Sequence, residues 1–528
     1  MKPFDASGAF QLTIGGHEVR QLGVRSAGVA VLSQALTFGF QLAATVVLAR
    51  LLAPKDYGLL TMVTTSSLLL ASFGLCGFTE AVVQRKKIDH FLVSNLFWIN
   101  LGAGLFLTVG FAAAGSILAQ FYKNQRVESL TVAMSVTILL SSLSVIHLAL
   151  LRRAMRYSAL SANVLLARAV SVAVSILLAW VGWGPWALVA GAVAQPLTES
   201  VGAWTLCQWI PARPRRVAGT ASMVKFGLGV YARYCFNYFT LNVDNVLVGR
   251  SFGAQSLGFY KKAFDLFALP ASQLNAPLWH VAVSVLSRFK PDSAEYRRYF
   301  LGGLSVLAFV GMGVSADLTL VAKDLVRFLL GPGWESTGRI FMFFGPGIGA
   351  MLLYGTHGWI HVSIGTIDRW FRWGVVEFVV TSLMLLLALP RGPSGMAAAW
   401  TASYWILMIP AFWYAGRPVN LHIGPVLSAI WKYPLASVLA SCASVGVTRA
   451  IPRFIALPEP VGVLVRIVST SLCFAALYLG AVILLHRGFA PLQQVATLLQ
   501  EMIPLGKFSK LRTHKATLQE QNISLTID

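Results

Sequence analysis

Hydrophobic positions in this 528-residue chain do not alternate, and they do not recur every third or fourth position as on a surface helix. They fall in long runs. Ser26 to Ala49, Tyr57 to Thr79, Phe91 to Tyr122 and Gly392 to Gly416 contain no Asp, Glu, Lys or Arg. About 20 helical residues cross a bilayer core of roughly 30 Å, so each run is long enough to span one. Spanning β-strands would alternate apolar and polar residues, which these segments do not. The pattern predicts an all-α polytopic membrane protein of about fourteen transmembrane helices. The first eight are expected near 26–49, 57–79, 93–119, 129–151, 158–181, 184–208, 223–249 and 257–287. The other six are expected near 299–321, 338–361, 372–390, 394–416, 430–450 and 462–485. Spans seven and eight are the least hydrophobic.

Composition agrees. The chain is 56% hydrophobic and 12% charged, against about 25% charged in an ordinary soluble protein. The formal charge of +22 could indicate nucleic acid, but the basic residues cluster at the ends of apolar runs, where the positive-inside bias accounts for them. With the N-terminus inside, Lys and Arg divide 26 on the inner side to 12 on the outer, so both termini are expected in the cytoplasm. Cys76, Cys207, Cys235, Cys442 and Cys473 lie far apart inside apolar segments, with no C-x-x-C pair, and read as small packing residues. The first apolar run exceeds a signal h-region and leads directly into more spans, so it is expected to be retained as span one.

The chain also repeats itself. Arg50-Leu51-Leu52-Ala53-Pro54-Lys55-Asp56-Tyr57-Gly58 joins spans one and two. Its counterpart, Arg250-Ser251-Phe252-Gly253-Ala254-Gln255-Ser256-Leu257-Gly258, joins spans seven and eight, with Arg and Gly in register 200 residues later. Six intervening spans give both halves the same orientation, related by an axis along the membrane normal. The organisation expected is therefore a cytoplasmic segment 1–25, an N-lobe 26–210 of six spans, and a basic linker 211–222 carrying Pro211, Arg213, Pro214, Arg215 and Arg216. A pseudo-symmetric C-lobe 223–416, an extra helix pair 430–485 and a cytoplasmic tail 486–528 follow.

Ionised side chains at bilayer depth cost about 2.5–3.5 kcal/mol on insertion scales, so they usually face water or a partner. In span seven, Arg233, Asn237, Thr240 and Asp244 lie on one face and form a polar stripe suited to a cavity wall; an internal Arg–Asp pair is the alternative. Span five contributes Arg168, with Ser161 and Ser175 on its face, and span six contributes Gln195 and Glu199. Glu199 could simply neutralise Arg168. Span eight opens with Lys261, Lys262 and Asp265 and is expected to bend at Pro270 and Pro277; snorkelling is the competing account of Lys262. Glu377 in span eleven could take a proton or Na⁺, or only a hydrogen bond. Arg168, Arg233, Asn237, Thr240 and Lys261 are thus the candidates for substrate binding. Glu199, Asp244, Asp265 and Glu377 are the candidates for a coupling ion or ion pairs. His357 and His361 have metal-binding spacing but no third ligand accompanies them. No P-loop and no G-x-S-x-G element occurs, and no cofactor is called for.

On these residues the chain resembles the Wzx-type polysaccharide flippases, of the superfamily that joins multidrug exporters, oligosaccharide-lipid flippases and polysaccharide exporters. Arg50, Leu52, Pro54, Asp56, Tyr57 and Gly58 are similar to that family's L-x-P-x-D-Y-G turn. Asp244, Gly249, Gly253, Gly258 and Tyr260 carry the resemblance around spans seven and eight. The similarity in organisation runs through span twelve, while spans thirteen and fourteen are similar to the peptidoglycan-precursor branch. The resemblance implies a transporter in the bacterial inner membrane, not an enzyme, that moves an undecaprenyl-diphosphate-linked sugar repeat between leaflets. Its partners would be that lipid-linked sugar, membrane lipids and a polysaccharide polymerase and export machinery, with no nucleic acid. A cationic lumen with Arg168, Arg233 and Lys261 would attract a diphosphate. A cation-coupled multidrug exporter would favour an acidic cavity, and a membrane-embedded polymerase or glycosyltransferase would need a large extramembrane loop; neither fits this chain as well.

Overall fold

The computed structural model describes residues 3–5, 8, 10, 36, 38–75, 77–85, 87–450, 461–489 and 492–493. The side chains of residues 233, 237, 274, 276, 277, 280 and 448–450 are not among those described. Most of the expected N-terminal segment, Cys76 and nearly all of the tail lie outside these residues. Among the described residues the β-structure is one isolated bridge, Phe4 to Phe10.

The helices are α1 (Phe38–Leu51), α2 (Pro54–Leu75), α3 (Phe78–Gln84), α4 (His90–Ala113), α5 (Gly115–Tyr122), α6 (Arg126–Arg153), α7 (Tyr157–Trp180) and α8 (Pro185–Cys207). They continue with α9 (Thr220–Leu286), α10 (Ala294–Leu320), α11 (Ala322–Leu330), α12 (Glu335–Gly355), α13 (His357–Ser363), α14 (Ile367–Ala388) and α15 (Gly392–Gly416). The last three are α16 (Ile423–Ile430), α17 (Lys432–Ala450) and α18 (Val461–His486). Among the described residues nine helical stretches are long and apolar enough to cross a membrane. Neither α8, which holds expected span six, nor the 67-residue α9, which holds spans seven and eight, belongs to these nine. Large apolar side chains point outward, among them Phe106 at 76% exposure and Leu387 at 76%. That exterior suits acyl chains rather than water, and the protein is a multi-pass membrane protein.

Local chemistry sets the ends. Asp89 caps α4 by accepting from the Leu92 amide at 2.7 Å, and Ser293 caps α10 through the Tyr296 amide at 3.1 Å. Pro54 and Pro185 open their helices, where a missing N–H costs nothing. Pro270 and Pro277 stay inside α9; its one non-helical residue is Gly253, at φ 77° and ψ 179°, a conformation essentially reserved for glycine.

The chain forms two compact units. The first comprises Met1–Leu266, Ala322–Phe344 and Gly374–Ser403. Its core gathers Phe78, Val82, Leu92, Leu96, Phe97, Val145 to Leu151, Cys207 and Trp209 around the buried end of α6. Small residues let its helices approach: Gly191 sits on Ser171 and Ser175, and Gly202 on Asn163, which closes α7 onto α8. The basic linker is strapped to α4. Trp98 donates to the Ala212 carbonyl at 2.8 Å, and Asn95 grips both the carbonyl and the amide of Arg215, at 2.6 and 3.1 Å. Arg213, Arg215 and Arg216 remain exposed.

The second unit comprises Phe267–Val321, Gly345–Trp373 and Tyr404–Asp528. Here α10 meets α17 and α18 through polar contacts. Ser305 and Tyr433 share a hydrogen bond of 2.8 Å, Tyr478 donates to the Phe309 carbonyl at 2.7 Å, and Ser471 donates to Asp317 at 3.1 Å.

Candidate functional site

All nine candidate residues fall in the first unit. Thr240 is buried and its hydroxyl donates back to the Phe236 carbonyl at 3.0 Å, so its bond is made within α9. Asp244 is 1% exposed, and its carboxyl group meets three donors. Tyr260 Oη and Trp400 Nε1 each reach Oδ2 at 2.9 Å, and the Asn245 amide reaches Oδ1 at 2.8 Å. A carboxylate so placed ties together both arms of α9 and α15. Tyr260 and Trp400 were not foreseen as its partners, because sixteen and 156 residues separate them from Asp244 and only the turn at Gly253 brings the second arm back.

Lys261 pairs with Asp265 at 3.0 Å, one helical turn on, and its ammonium lies 5.3 Å from the centre of the Phe264 ring. Lys262 does not snorkel; its ammonium sits 4.1 Å over the Tyr57 ring, a cation–π contact strengthened by desolvation. Arg168 is half-buried on α7, and its Nε has no acceptor among the described residues. Among the described residues no ion pair within 4.0 Å links it to Glu199, although Arg152 and Arg168 both lie within electrostatic reach of that carboxylate. Ser175 faces Gly191 in the helix seam. Glu377 is half-buried on α14 and engaged with neighbours. The side chains of Arg233 and Asn237 lie outside those described.

The two repeated turns pack on each other. A Cβ added to Gly58 would fall 2.5 Å from the Ala254 carbonyl carbon, and one added to Gly258 would fall 2.6 Å from the Pro54 carbonyl carbon. In the repeat Ala254 is the counterpart of Pro54 and Gly258 of Gly58, so the contact is reciprocal, as across a two-fold axis. Both copies also break their helices in the same register, at residues 52–53 and at Gly253. Trp334 wedges beside them: it donates to the Ala49 carbonyl at 2.9 Å and meets the rings of Tyr57 and Phe259 edge-on at 5.5 and 6.0 Å. Arg50 reaches the Phe328 carbonyl at 2.9 Å.

From these turns α2 and α9 run side by side. Tyr238 donates to the Thr65 carbonyl and Tyr231 to the Leu69 carbonyl, both at 2.9 Å. Tyr234 shares a hydrogen bond of 3.3 Å with Ser72. At the far end Gly77 lies against the Gly227 backbone. The sequence reading did not single out these tyrosines, although their i, i+3, i+7 spacing was the signal that could have found them.

Comparison with known proteins matches residues 47–338 to a family described as polysaccharide biosynthesis protein. The teichuronic acid biosynthesis protein TuaB of Bacillus subtilis (strain 168) is 22% identical over 77% of this chain and 84% of its own length. The succinoglycan biosynthesis transport protein ExoT of Rhizobium meliloti (strain 1021) is 23% identical over 59% of this chain and 63% of its own. The lipopolysaccharide biosynthesis protein WzxC of Escherichia coli (strain K12) is 21% identical over 60% of this chain and 65% of its own. Among solved structures, the lipid II flippase MurJ in an inward closed conformation has the same fold, with a TM-score of 0.69 and 14% identity over 88% of this chain and 99% of that one. An inward-facing multidrug resistance MATE family transporter of the MOP superfamily follows at 0.57 and 14% identity, over 72% and 94%. With more than half of its length matched, the chain belongs to the polysaccharide biosynthesis protein family, and it shares its fold with the MurJ and MATE structures.

Proposed function

We propose that this protein moves an undecaprenyl-diphosphate-linked oligosaccharide from the inner to the outer leaflet of the bacterial inner membrane, by alternating access between two lobes of six spans. The lobes would be residues 26–210 and 223–416, with 211–222 as a cytoplasmic linker, both termini cytoplasmic and an extra helix pair at 430–485. The observation that carries this reading is the reciprocal seating of Gly58 on Ala254 and of Gly258 on Pro54. Two equivalent turns that meet through small residues and backbone, with no disulfide or salt bridge between them among the described residues, make an end that can seal and part. Binding would fall to Arg168, Arg233 and Lys261, whose positive charge would hold a diphosphate in a site shielded from bulk water. Asn237 and Thr240 would meet the sugars. Asp265 keeps Lys261 oriented, while Glu199 and Glu377 are the acidic groups available to balance the arginines when the site is empty.

The test is translocation of a fluorescent undecaprenyl-diphosphate oligosaccharide in proteoliposomes. Arg168→Ala and Arg233→Ala should each reduce flux at least tenfold, while size-exclusion profile and thermal stability remain those of the parent. Normal flux through the folded double variant would discard the cationic site.

A further inference from the structure

We propose that the cleft between the end of α3 and the first turns of α9 binds the phosphate headgroup of an anionic phospholipid, with Arg85 as its anchor and Lys225 at its rim. The cleft is a cavity of about 290 Å³, lined by Ala81, Gln84, Arg85, Ser222, Met223 and Phe226. Against about 30 Å³ for a water molecule in the liquid, it has room for a headgroup rather than a lone ion. Its lining is divided, with Gln84, Arg85 and Ser222 polar and Ala81, Met223 and Phe226 apolar.

The chain is built to hold the guanidinium in place. It turns at Gly219, at φ 93°, and a Cβ there would collide with Arg85 Nη2, so only glycine lets the side chain lie on this backbone. Arg85 Nη1 donates to the Gly219 carbonyl at 3.2 Å and to the Ser222 hydroxyl at 3.4 Å. Both bonds leave from one nitrogen, so the group is oriented while the rest of its donor fork stays available. A planar fork of that kind matches the oxygens of a phosphate. Ser222 also lies in the first turn of α9, where the helix dipole favours an anion.

The surroundings select for charge and for lipid. Lys87, Arg213, Arg215, Arg216 and Lys225 are all exposed on the segments that meet at this end of the unit. The carboxylates of α3 and of residues 85–89 are Glu80, which is half-buried, and Asp89, which caps α4. The balance is positive. Beside these groups Val83, Phe226 and Leu228 are 41%, 42% and 47% exposed. Basic side chains next to exposed apolar ones, at the end of membrane-spanning helices, complement a molecule with an anionic head and acyl chains. A free phosphate would leave the apolar wall uncovered.

The second unit repeats the construction. Arg297 Nη1 donates to the Asp292 carbonyl at 2.7 Å and to the Val419 carbonyl at 3.4 Å, and a cavity of about 430 Å³ opens beside it, with Leu301, His422 and Pro425 in its lining. Val419 stands 200 residues after Gly219, the interval that separates Gly58 from Gly258. In both halves the arginine lies between the second and third expected spans, and the carbonyl it holds follows the sixth. Asp292 also lines the second cavity, so the site at Arg85 is the more selective for an anion.

The site is read with a photoactivatable phosphatidylglycerol at trace level in phosphatidylcholine nanodiscs that hold the full chain, the cross-linked peptides being mapped by mass spectrometry. Cross-links should concentrate in residues 78–85 and 219–228 and should yield to unlabelled phosphatidylglycerol. One basic residue near the bilayer surface is worth about fivefold in affinity for anionic lipid, so Lys225→Gln should raise the phosphatidylglycerol fraction for half-displacement about fivefold, and Arg85→Gln with Lys225→Gln about 25-fold. Lys323→Gln, exposed on α11, should leave it unchanged. Lys225 is exposed, so its variant tests the site with both Arg85 bonds intact, whether or not loss of Arg85 unfastens α9. Displacement by inorganic phosphate alone would make this a free-anion site, and displacement by undecaprenyl diphosphate at a far lower fraction than phosphatidylglycerol would make it a substrate site. Either result would overturn the proposal, as would cross-links spread evenly over the lipid-facing helices or an unaltered Lys225→Gln.

Discussion

Replacing Gly58 with alanine puts one methyl group against the Ala254 backbone, and the consequence can be worked out. The new carbon would lie 2.5 Å from the Ala254 carbonyl carbon and 3.0 Å from its Cα, whereas carbon atoms rest about 3.5–4.0 Å apart at optimum separation. Neither neighbour is the end of a flexible side chain, so the turns must part by about 1 Å. A gap of that size forfeits a quarter to a half of each contact's dispersion energy, and overpacking of this kind costs about 1–3 kcal/mol. If that cost falls on the closed arrangement of the turns, the closed-to-open ratio drops about 5- to 150-fold. Gly258→Ala strikes the Pro54 carbonyl carbon at 2.6 Å and should do the same. Because either variant separates the same two turns, the second should add less than the first, giving a coupling of at least 0.5 kcal/mol in a double-mutant cycle. The assay is labelling by a membrane-impermeant thiol reagent of a cysteine placed at Thr61, buried beneath the turn, in a background freed of the native cysteines. Gly229→Ala is the control, since a Cβ there meets nothing within 4 Å. Parent-like labelling of both glycine variants, or strictly additive effects, would refute the reciprocal contact.

Three further outcomes follow from the same geometry. Tyr231→Phe with Tyr238→Phe removes two bonds of 2.9 Å between α9 and α2; at about 0.6 kcal/mol each within membranes, pulsed spin-label distances across this pair should show opening favoured by less than tenfold. Trp400→Phe removes a donor from buried Asp244 and should lower stability by about 1–3 kcal/mol in thermal unfolding in detergent; an unchanged midpoint would mean that Tyr260 and the Asn245 amide suffice. Arg153→Met strips the carbonyls of Val82, Val83 and Arg85 of a guanidinium donor held at 2.6–3.2 Å. Faster amide exchange confined to α3 and residues 82–85 should result, and an unaltered exchange pattern would count against that capping role.

What could be read from the sequence was the part governed by local composition. Uninterrupted apolar runs mark most of the helices because a bilayer demands length and uniformity of each one separately. Pro54 and Gly253 mark the breaks for reasons of backbone geometry alone. The polar stripe on α9 was visible from its period, but the fate of its members was not. Thr240 turns back on its own helix and Asp244 is consumed by Tyr260 and Trp400, and these choices depend on which helix lies opposite. Ser175 appeared to share a face with Arg168, yet Gly191 from α8 fills that face. Lys262 illustrates the same limit: its stem allows snorkelling, and only the ring of Tyr57 decides otherwise. The histidines gave a spacing, while the oxygen atoms that their Nδ1 atoms meet, at 2.6 and 3.1 Å, belong to Tyr354 and Thr366, outside the i, i+4 pattern itself.

The kinds of contact along α2 and α9 bear on how such a protein could change shape. Within lipid, apolar surface gains nothing by leaving acyl chains, so helices hold together through packing and polar contacts. Between α2 and α9 these are glycine-to-backbone contacts, three tyrosine hydroxyl bonds and the cation–π contact of Lys262 with Tyr57. The three hydroxyl bonds, at about 0.6 kcal/mol each, amount together to about 2 kcal/mol, a part of the seam that a ligand binding one arrangement some thirtyfold more tightly can overcome. Within the first unit the stronger polar ties lie elsewhere: Asp244 joins the two arms of α9 to α15, and Arg153 joins α6 to α3. Stiffness therefore sits inside groups of helices, and the seam between the repeated turns is comparatively weak. A transporter that works by rocking needs that distribution, since a seam as strong as the Asp244 network would hold one state through the whole cycle.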